Sequence, residues 1–150
     1  MRKIRLLVVE DDPAYRYLIR KAFSDRSDDT TWDVTVATDG EKAVHLLFEE
    51  EDEGYPLPDI ILLDWNLPGV SGNQVLRRLK EDERLKRIPV LVFSTSTDDE
   101  TVHAAYDDYA NGYITKPASM ALLATVVETI ERFWTGVAHL PRASRRTLLD

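Results

Sequence analysis

The chain contains no cysteine, which excludes disulfide bonds, thiolate metal sites and cysteine nucleophiles. It has no apolar run approaching about 18 residues, the length that a membrane-spanning helix needs, and its N-terminus has no signal-peptide pattern. Basic residues are in the minority: 19 Lys and Arg stand against 27 Asp and Glu, giving a net charge of −8. General nucleic-acid binding is therefore not expected, because phosphate recognition needs a basic face. The 150 residues predict one soluble, cytoplasmic domain.

Five short apolar segments predict β-strands. Each is rich in β-branched or aliphatic residues and too short for a stable helix. They are Ile4–Val9, Asp33–Ala37, Ile60–Leu63, Val90–Phe93 and Gly112–Thr115.

Helix signals follow each of these strands. Four helix starts are Asp12 with Pro13, Asp39 with Gly40, Ser71 with Gln74, and Thr97 with Glu100. An apolar stripe on the last predicted helix comprises Leu122, Leu123, Val126, Val127, Ile130 and Trp134. Strands that alternate with amphipathic helices predict an α/β fold, with a doubly wound parallel sheet and right-handed crossovers.

Polar side chains follow four of the five strands. Glu10 and Asp11 come after the first, Asp64 after the third, Ser94 after the fourth and Lys116 after the fifth. In an open α/β sheet, ligands bind at the carboxyl ends of the strands, so these groups converge on one edge. Three clustered carboxylates repel one another unless a cation neutralises them, and an all-oxygen site favours Mg²⁺ or Mn²⁺.

A lysine and a hydroxyl beside a carboxylate–metal site indicate an anion, typically a phosphoryl group. A carboxylate in such a centre can act as the nucleophile. Taken singly, each piece has an ordinary interpretation as a helix cap, a loop hydroxyl or a surface charge. Their convergence on one edge is what favours a functional site.

These motifs resemble the receiver domain of two-component response regulators. The resemblance covers roughly residues 3–134 and rests on four segments: Val8-Val9-Glu10-Asp11-Asp12; Leu63-Asp64-Trp65-Asn66-Leu67-Pro68 with Gly72; Phe93-Ser94-Thr95; and Tyr113-Ile114-Thr115-Lys116-Pro117. It implies a flavodoxin-like receiver fold with five helices and strand order 2-1-3-4-5. Residues 135–150 are then a C-terminal tail, and 16 residues are too few for a separate output domain.

The resemblance also assigns roles to the acidic residues. Asp64 is similar to the phosphoacceptor of the family. Glu10, Asp11 and Asp64, with the backbone carbonyl of Asn66, are similar to its Mg²⁺ ligands, for which Mn²⁺ can substitute.

Three further residues have counterparts in the family. Ser94 resembles the hydroxyl residue that binds the phosphoryl group and moves on activation, and Lys116 resembles the invariant lysine. Tyr113 resembles the switch aromatic, and the Lys116–Pro117 peptide bond is a candidate for the cis form because proline follows. The implied function is a single-domain response regulator that accepts a phosphoryl group from a sensor histidine kinase. It is not an enzyme with turnover, and it signals by protein contact.

A narrower resemblance points to the stand-alone regulators of bacterial phytochrome histidine kinases. It rests on the loop Glu49–Pro58, the runs at Asp64 and Ser94, and the tail Phe133–Pro141. It favours a homodimer through helix 4, strand 5 and helix 5, or through the end of helix 5. Adjacent Phe133 and Trp134 point about 100° apart on a helix, so one of them is expected to face outward. No nucleic-acid or membrane partner is expected.

Several other functions lack their required pattern. An aspartyl-phosphate phosphatase would have Asp two residues after Asp64, where this chain has Asn66. Glycine motifs of dinucleotide-binding and P-loop proteins are absent. A histidine phosphotransfer protein would be a helical bundle. One alternative stays open: a receiver-like docking module that works without phosphorylation.

Overall fold

The computed structural model describes residues 2–24, 30–49 and 56–141. Its centre is a five-stranded sheet in which every pairing is parallel and the strand order is 2-1-3-4-5. The predicted α/β class and strand order are therefore confirmed. Most of the predicted Glu49–Pro58 loop and residues 142–150 of the predicted tail lie outside the described residues.

The strands begin and end within a few residues of their predicted bounds. They are β1 Arg2–Val9, β2 Thr30–Ala37, β3 Ile60–Asp64, β4 Val90–Ser94 and β5 Gly112–Thr115. Asp64 and Ser94 are thus the last residues of their strands rather than the first residues after them. The pairing Asp64↔Phe93 and the backbone bond from Trp65 N–H to Phe93 O extend the sheet to this point.

Five α-helices connect and cover the strands. They are α1 Pro13–Ser24, α2 Gly40–Val44, α3 Gly72–Glu81, α4 Asp99–Asp107 and α5 Met120–Arg132. A π-helical turn continues α2 over His45–Glu49, and another continues α5 over Phe133–Val137. In the described part of the chain, no helix is long and apolar enough to cross a bilayer.

Both faces of the sheet are buried against helices. On one face, Ile4, Leu6 and Val8 of β1 pack with the apolar side chains of α1 and α5. On the other, Leu7 and Val9 pack with those of α2, α3 and α4. This two-sided burial explains why the central strands β3 and β4 are almost continuously apolar.

The observed helix N-caps can be compared with those that local sequence patterns predict. Asp39 caps α2, and Ser71 with Gln74 forms the predicted capping box of α3. The prediction for α4 is wrong by one residue, because Asp98 rather than Thr97 is the N-cap. The Asp98 carboxylate accepts from the backbone N–H and the hydroxyl of Thr101, a stronger arrangement than a threonine hydroxyl provides.

The stripe predicted on the last helix is only partly buried. Leu123, Val127 and Ile130 lie in the core, whereas Leu122 is 58% exposed. Leu122 and Leu123 are adjacent, so they point about 100° apart and cannot both face the sheet. Of the two aromatics beyond them, Phe133 is 46% exposed, while Trp134 packs against the core.

Candidate functional site

Three carboxylates meet at the carboxyl edge of the sheet. Glu10 follows β1 directly and is 1% exposed, Asp64 ends β3 and is 4% exposed, and Asp11 is exposed beside them. One oxygen atom from each of the three lies within 4.8 Å of the others. Because β1 and β3 are neighbours in the sheet, their carboxyl ends bring these residues together from distant parts of the sequence.

Lys116 lies between the two buried carboxylates. Its Nζ is 2.7 Å from Glu10 Oε1 and 3.3 Å from Asp64 Oδ2, and its side chain is 11% exposed. The backbone N–H of Lys116 donates to Ser94 O at 2.8 Å, which ties the end of β5 to the end of β4. The ammonium therefore bridges the two buried carboxylates, where it can contact an anion bound to Asp64.

The electrostatic balance of the cluster is uneven. Burial, followed by the charge of Glu10, raises the pKa of Asp64 to about 7, although Lys116 acts in the opposite direction. Burial lowers the pKa of Lys116, but its contacts with Glu10 and Asp64 outweigh this effect, so the pKa is raised overall. The single positive charge of Lys116 therefore only partly offsets the negative charge of the neighbouring carboxylates.

The donor set fits a hard divalent cation. All three side chains offer carboxylate oxygens, the ligands that Mg²⁺ and Mn²⁺ prefer. Three carboxylates facing one lysine also leave the negative charge that a divalent cation would neutralise. Asn66, two residues beyond Asp64, donates its backbone N–H to Asp64 Oδ1 at 3.1 Å, so its peptide group also lies at the site.

The loop after Asp64 depends on a glycine. A Cβ on Gly72 would lie 2.3 Å from Asp64 O and 2.8 Å from the Cα of Trp65. Gly72 N–H donates to Trp65 O at 3.3 Å, so α3 begins in direct contact with the loop. Any larger residue at position 72 would push the backbone of Asp64 out of place.

Ser94 and Tyr113 are joined through one short loop. Ser94 is fully buried at the end of β4, and its Oγ accepts from Ser96 N–H at 3.1 Å. Tyr113, half-buried on β5, donates its hydroxyl to Ser96 O at 2.8 Å. Because both side chains bond to the backbone of Ser96, a movement of Ser94 would change the hydrogen-bonding environment of Tyr113.

The prediction for the Lys116–Pro117 peptide bond, in the loop after β5, is wrong. Among the residues that the structure describes there is no cis peptide bond, so Lys116–Pro117 is trans. Trans is the ordinary state of a bond before proline, favoured by about 0.5–1 kcal/mol.

Two residues of α1 contact the site although no sequence pattern singles them out. Arg16 Nη1 donates to the backbone carbonyls of Glu10 at 3.2 Å and Asp11 at 2.7 Å. Tyr15 donates its hydroxyl to Pro117 O at 3.2 Å, and its ring centroid is 4.9 Å from Lys116 Nζ. They lie in the first turn of the helix that follows the acidic segment, and that position is the sequence signal that could have indicated them.

Comparison with known proteins places this arrangement in a family. The sequence-family model for the response regulator receiver domain matches residues 6–128 of this chain. A probable methanogenesis regulatory protein, FilR2 of Methanothrix harundinacea, is 40% identical over 136 residues, which are 91% of this chain and 86% of that protein. The response regulator Rcp1 of Synechocystis is 37% identical over 139 residues, 92% of this chain and 93% of that protein.

Solved structures agree with these sequence matches. The phosphorylated cyanobacterial phytochrome response regulator RcpA superposes with a TM-score of 0.85 at 39% identity, covering 93% of this chain and 99% of that one. The Mn²⁺-bound form of Rcp1 superposes with a TM-score of 0.81 at 36% identity, covering 92% and 99%.

Proposed function

Because this chain belongs to the response regulator receiver domain family, we propose that Asp64 accepts a phosphoryl group from a sensor histidine kinase and that the protein signals through the resulting change. One observation carries the proposal: Asp64 ends β3 inside a carboxylate cluster, with its Oδ2 3.3 Å from the ammonium of Lys116. A buried carboxylate beside a lysine and a metal-type donor set is suited to phosphoryl transfer.

In the proposed reaction, an Asp64 carboxylate oxygen attacks the phosphorus of the phosphohistidine. The new O–P bond forms as the P–N bond breaks, and the electron pair of that bond stays on the imidazole nitrogen. Asp64 becomes an acyl phosphate, so the protein is a stoichiometric acceptor rather than a catalyst that turns over substrate. Hydrolysis of the acyl phosphate restores the carboxylate and releases inorganic phosphate.

The chain's own residues position and stabilise this transfer. Lys116 is placed to contact a phosphoryl oxygen on Asp64, and the Asn66 N–H holds the other carboxylate oxygen. Glu10, Asp11, Asp64 and the carbonyl of Asn66 would hold the divalent cation. When bound, Mg²⁺ or Mn²⁺ would neutralise charge that develops on the phosphoryl oxygens. Positioning and charge neutralisation supply most of the acceleration in this class of reaction.

Signal output is assigned to Ser94 and Tyr113. The Ser94 hydroxyl would turn to the phosphoryl group and give up its bond from Ser96 N–H. Tyr113, bonded to the carbonyl of the same Ser96, would then change position and alter the face formed by α4, β5 and α5. Phosphorylation thus biases a two-state element.

The kinase partner is proposed to be of the phytochrome type, in the cytoplasm where kinase ATP is available. Support comes from the similarity to RcpA, which is described as a cyanobacterial phytochrome response regulator. The similarity to the methanogenesis regulator FilR2 points to a different stimulus. Phosphotransfer rates from purified kinases of both types would distinguish the two partners.

The surface of α5 supports a homodimer through the end of that helix. Leu122, Phe133 and Val137 are 58%, 46% and 74% exposed, and their spacing places them on one side of the helix. Large exposed aromatics are common interface anchors. We expect sedimentation at micromolar concentration to show a dimer that Phe133→Ala weakens at least tenfold. Tyr17→Ala, an exposed aromatic on α1, is the control, and a strictly monomeric wild type before and after phosphorylation would contradict the homodimer.

The proposed function is tested with acetyl phosphate as the phosphoryl donor. We expect intact-mass measurement to show one added phosphoryl group in the presence of Mg²⁺ and none with a chelator, and peptide mapping to assign it to Asp64. Label on another residue, or label that the chelator does not affect, would contradict the mechanism. A protein that takes up no label from either acetyl phosphate or a phosphorylated kinase, yet binds the kinase, would instead be a docking module.

A further inference from the structure

We propose that Tyr15 is a positioning residue for Lys116, holding its ammonium against the phosphoacceptor through the ring face and anchoring the following loop through the hydroxyl. The proposal rests on the proposed function, because it assigns Tyr15 a part in the phosphorylation of Asp64. It concerns a residue on α1, far in sequence from both of the groups that it contacts.

The first step in the argument is the placement of the ring. Lys116 Nζ lies 4.9 Å from the Tyr15 ring centroid, within the roughly 6 Å range at which a cation is attracted by an aromatic face. Tyr15 in turn packs edge-on against Phe93, a core residue of β4, with ring centroids 6.4 Å apart and planes at 85°. The ring therefore contacts both the core and the lysine.

The second step is the hydroxyl. Tyr15 donates to the carbonyl of Pro117 at 3.2 Å, and Pro117 directly follows Lys116. One side chain thus touches Lys116 at its head group and fixes the backbone one residue later. The backbone before Pro117 is fixed separately by the bond from Lys116 N–H to Ser94 O.

The third step is the effect of the Tyr15 contacts on the ordering of the Lys116 side chain. A lysine side chain has four rotatable bonds, and ordering it costs free energy. The two carboxylate contacts constrain its head group, but Asp64 is the residue that reacts, so its contact with Lys116 changes when the phosphoryl group arrives. The Tyr15 ring does not take part in the reaction. It provides a contact that persists, which keeps the ammonium placed for the transition state.

A spectroscopic experiment tests the geometry without phosphorylation. In metal-free protein labelled with [13Cε]lysine, the Lys116 resonance, assigned by its loss in Lys116→Arg, is expected to be displaced to low frequency by the Tyr15 ring. Tyr15→Phe keeps the ring and should keep the displacement, whereas Tyr15→Leu should remove it. Tyr17→Leu, an exposed site two residues along α1, is the matched control and should leave it unchanged. A Lys116 resonance that is identical in the wild type and Tyr15→Leu would overturn the proposal.

A kinetic experiment tests the consequence. With Mg²⁺ saturating and acetyl phosphate varied, Tyr15→Leu is expected to lower the limiting rate of labelling about tenfold. The acetyl phosphate concentration that gives half of the limiting rate should change less. Tyr15→Phe should recover most of that rate, and Tyr17→Leu should match the wild type. Circular dichroism and thermal melting check that each variant is folded.

The outcomes separate this proposal from the function on which it rests. A limiting rate in folded Tyr15→Leu equal to that of the wild type would overturn the positioning role. Tyr15→Phe as slow as Tyr15→Leu would overturn the role of the ring face. If the wild type itself takes up no label, the proposed function fails, and the lysine resonance alone then decides whether Tyr15 positions Lys116.

Discussion

Asp64→Asn is expected to take up no phosphoryl group and to be more stable than the wild type above pH 7. The loss of labelling follows because an amide cannot form the acyl phosphate. The gain in stability follows because Asp64 is 4% exposed beside Glu10, and burial and that neighbouring charge raise its pKa to about 7. A neutral side chain of the same shape removes the cost of holding a second charge there.

The pH dependence has a definite sign. In the unfolded chain the pKa of Asp64 has its ordinary value of 3.8, and in the folded protein it is about 7. Between these values the unfolded chain releases a proton that the folded chain keeps, so the wild type loses stability as pH rises through this interval. Asn does not titrate. The stability advantage of the variant therefore grows across the interval and reaches about 4 kcal/mol above it, or roughly 8–16 °C in Tm.

Denaturant unfolding of metal-free protein between pH 4 and pH 8.5 measures this difference. Asp107→Asn, at an exposed position on α4, is the control and should change stability by no more than about 0.5 kcal/mol at any pH. Added Mg²⁺ should stabilise the wild type more than Asp64→Asn. A variant whose stability relative to the wild type does not change with pH would show that the buried carboxylate does not carry this cost.

Lys116→Met is expected to slow phosphorylation of Asp64 by acetyl phosphate about 10²–10³-fold, the usual cost of removing one preorganised electrostatic contact. It should also destabilise the metal-free protein by about 3 kcal/mol, because the ammonium is the cation that lies 2.7 Å from Glu10 Oε1 and 3.3 Å from Asp64 Oδ2. Saturating Mg²⁺ should recover part of the stability but not the rate.

A double-mutant cycle isolates the cause of the lost stability. In the Asp64→Asn background Glu10 is the one buried carboxylate that still contacts the Lys116 ammonium among the described residues, so Lys116→Met should cost clearly less there than in the wild type. Lys86→Met, at an exposed lysine paired with Glu83, is the control for removal of a surface charge. A labelling rate in Lys116→Met within threefold of the wild type would show that the ammonium does not stabilise the transition state.

Local sequence patterns are sufficient to predict a structural feature where interactions within a few residues determine it. The caps at Asp39 and Ser71 act within three residues, so the sequence predicts them directly. The cap of α4 is ambiguous in the sequence because Thr97 and Asp98 are both good N-cap residues, and in the structure Asp98 is the cap. The outward position of Leu122 likewise depends on how α5 is rotated against the sheet. Apolar periodicity alone does not specify that rotation.

Apolar runs and helix-start patterns suffice to predict that strands alternate with helices. They also predict that five polar residues meet at one sheet edge: Glu10, Asp11, Asp64, Ser94 and Lys116. They can do so because all parallel strands place their carboxyl ends on the same side. Tertiary structure alone decided what surrounds that cluster. The Tyr15 hydroxyl bonds to a carbonyl 102 residues away, and no local pattern encodes a contact at that separation. Such a contact arises only when α1 and the loop after β5 come together at the carboxyl edge of the sheet. The raised pKa of Asp64 likewise depends on burial and on the charge of Glu10, which the tertiary structure brings beside it.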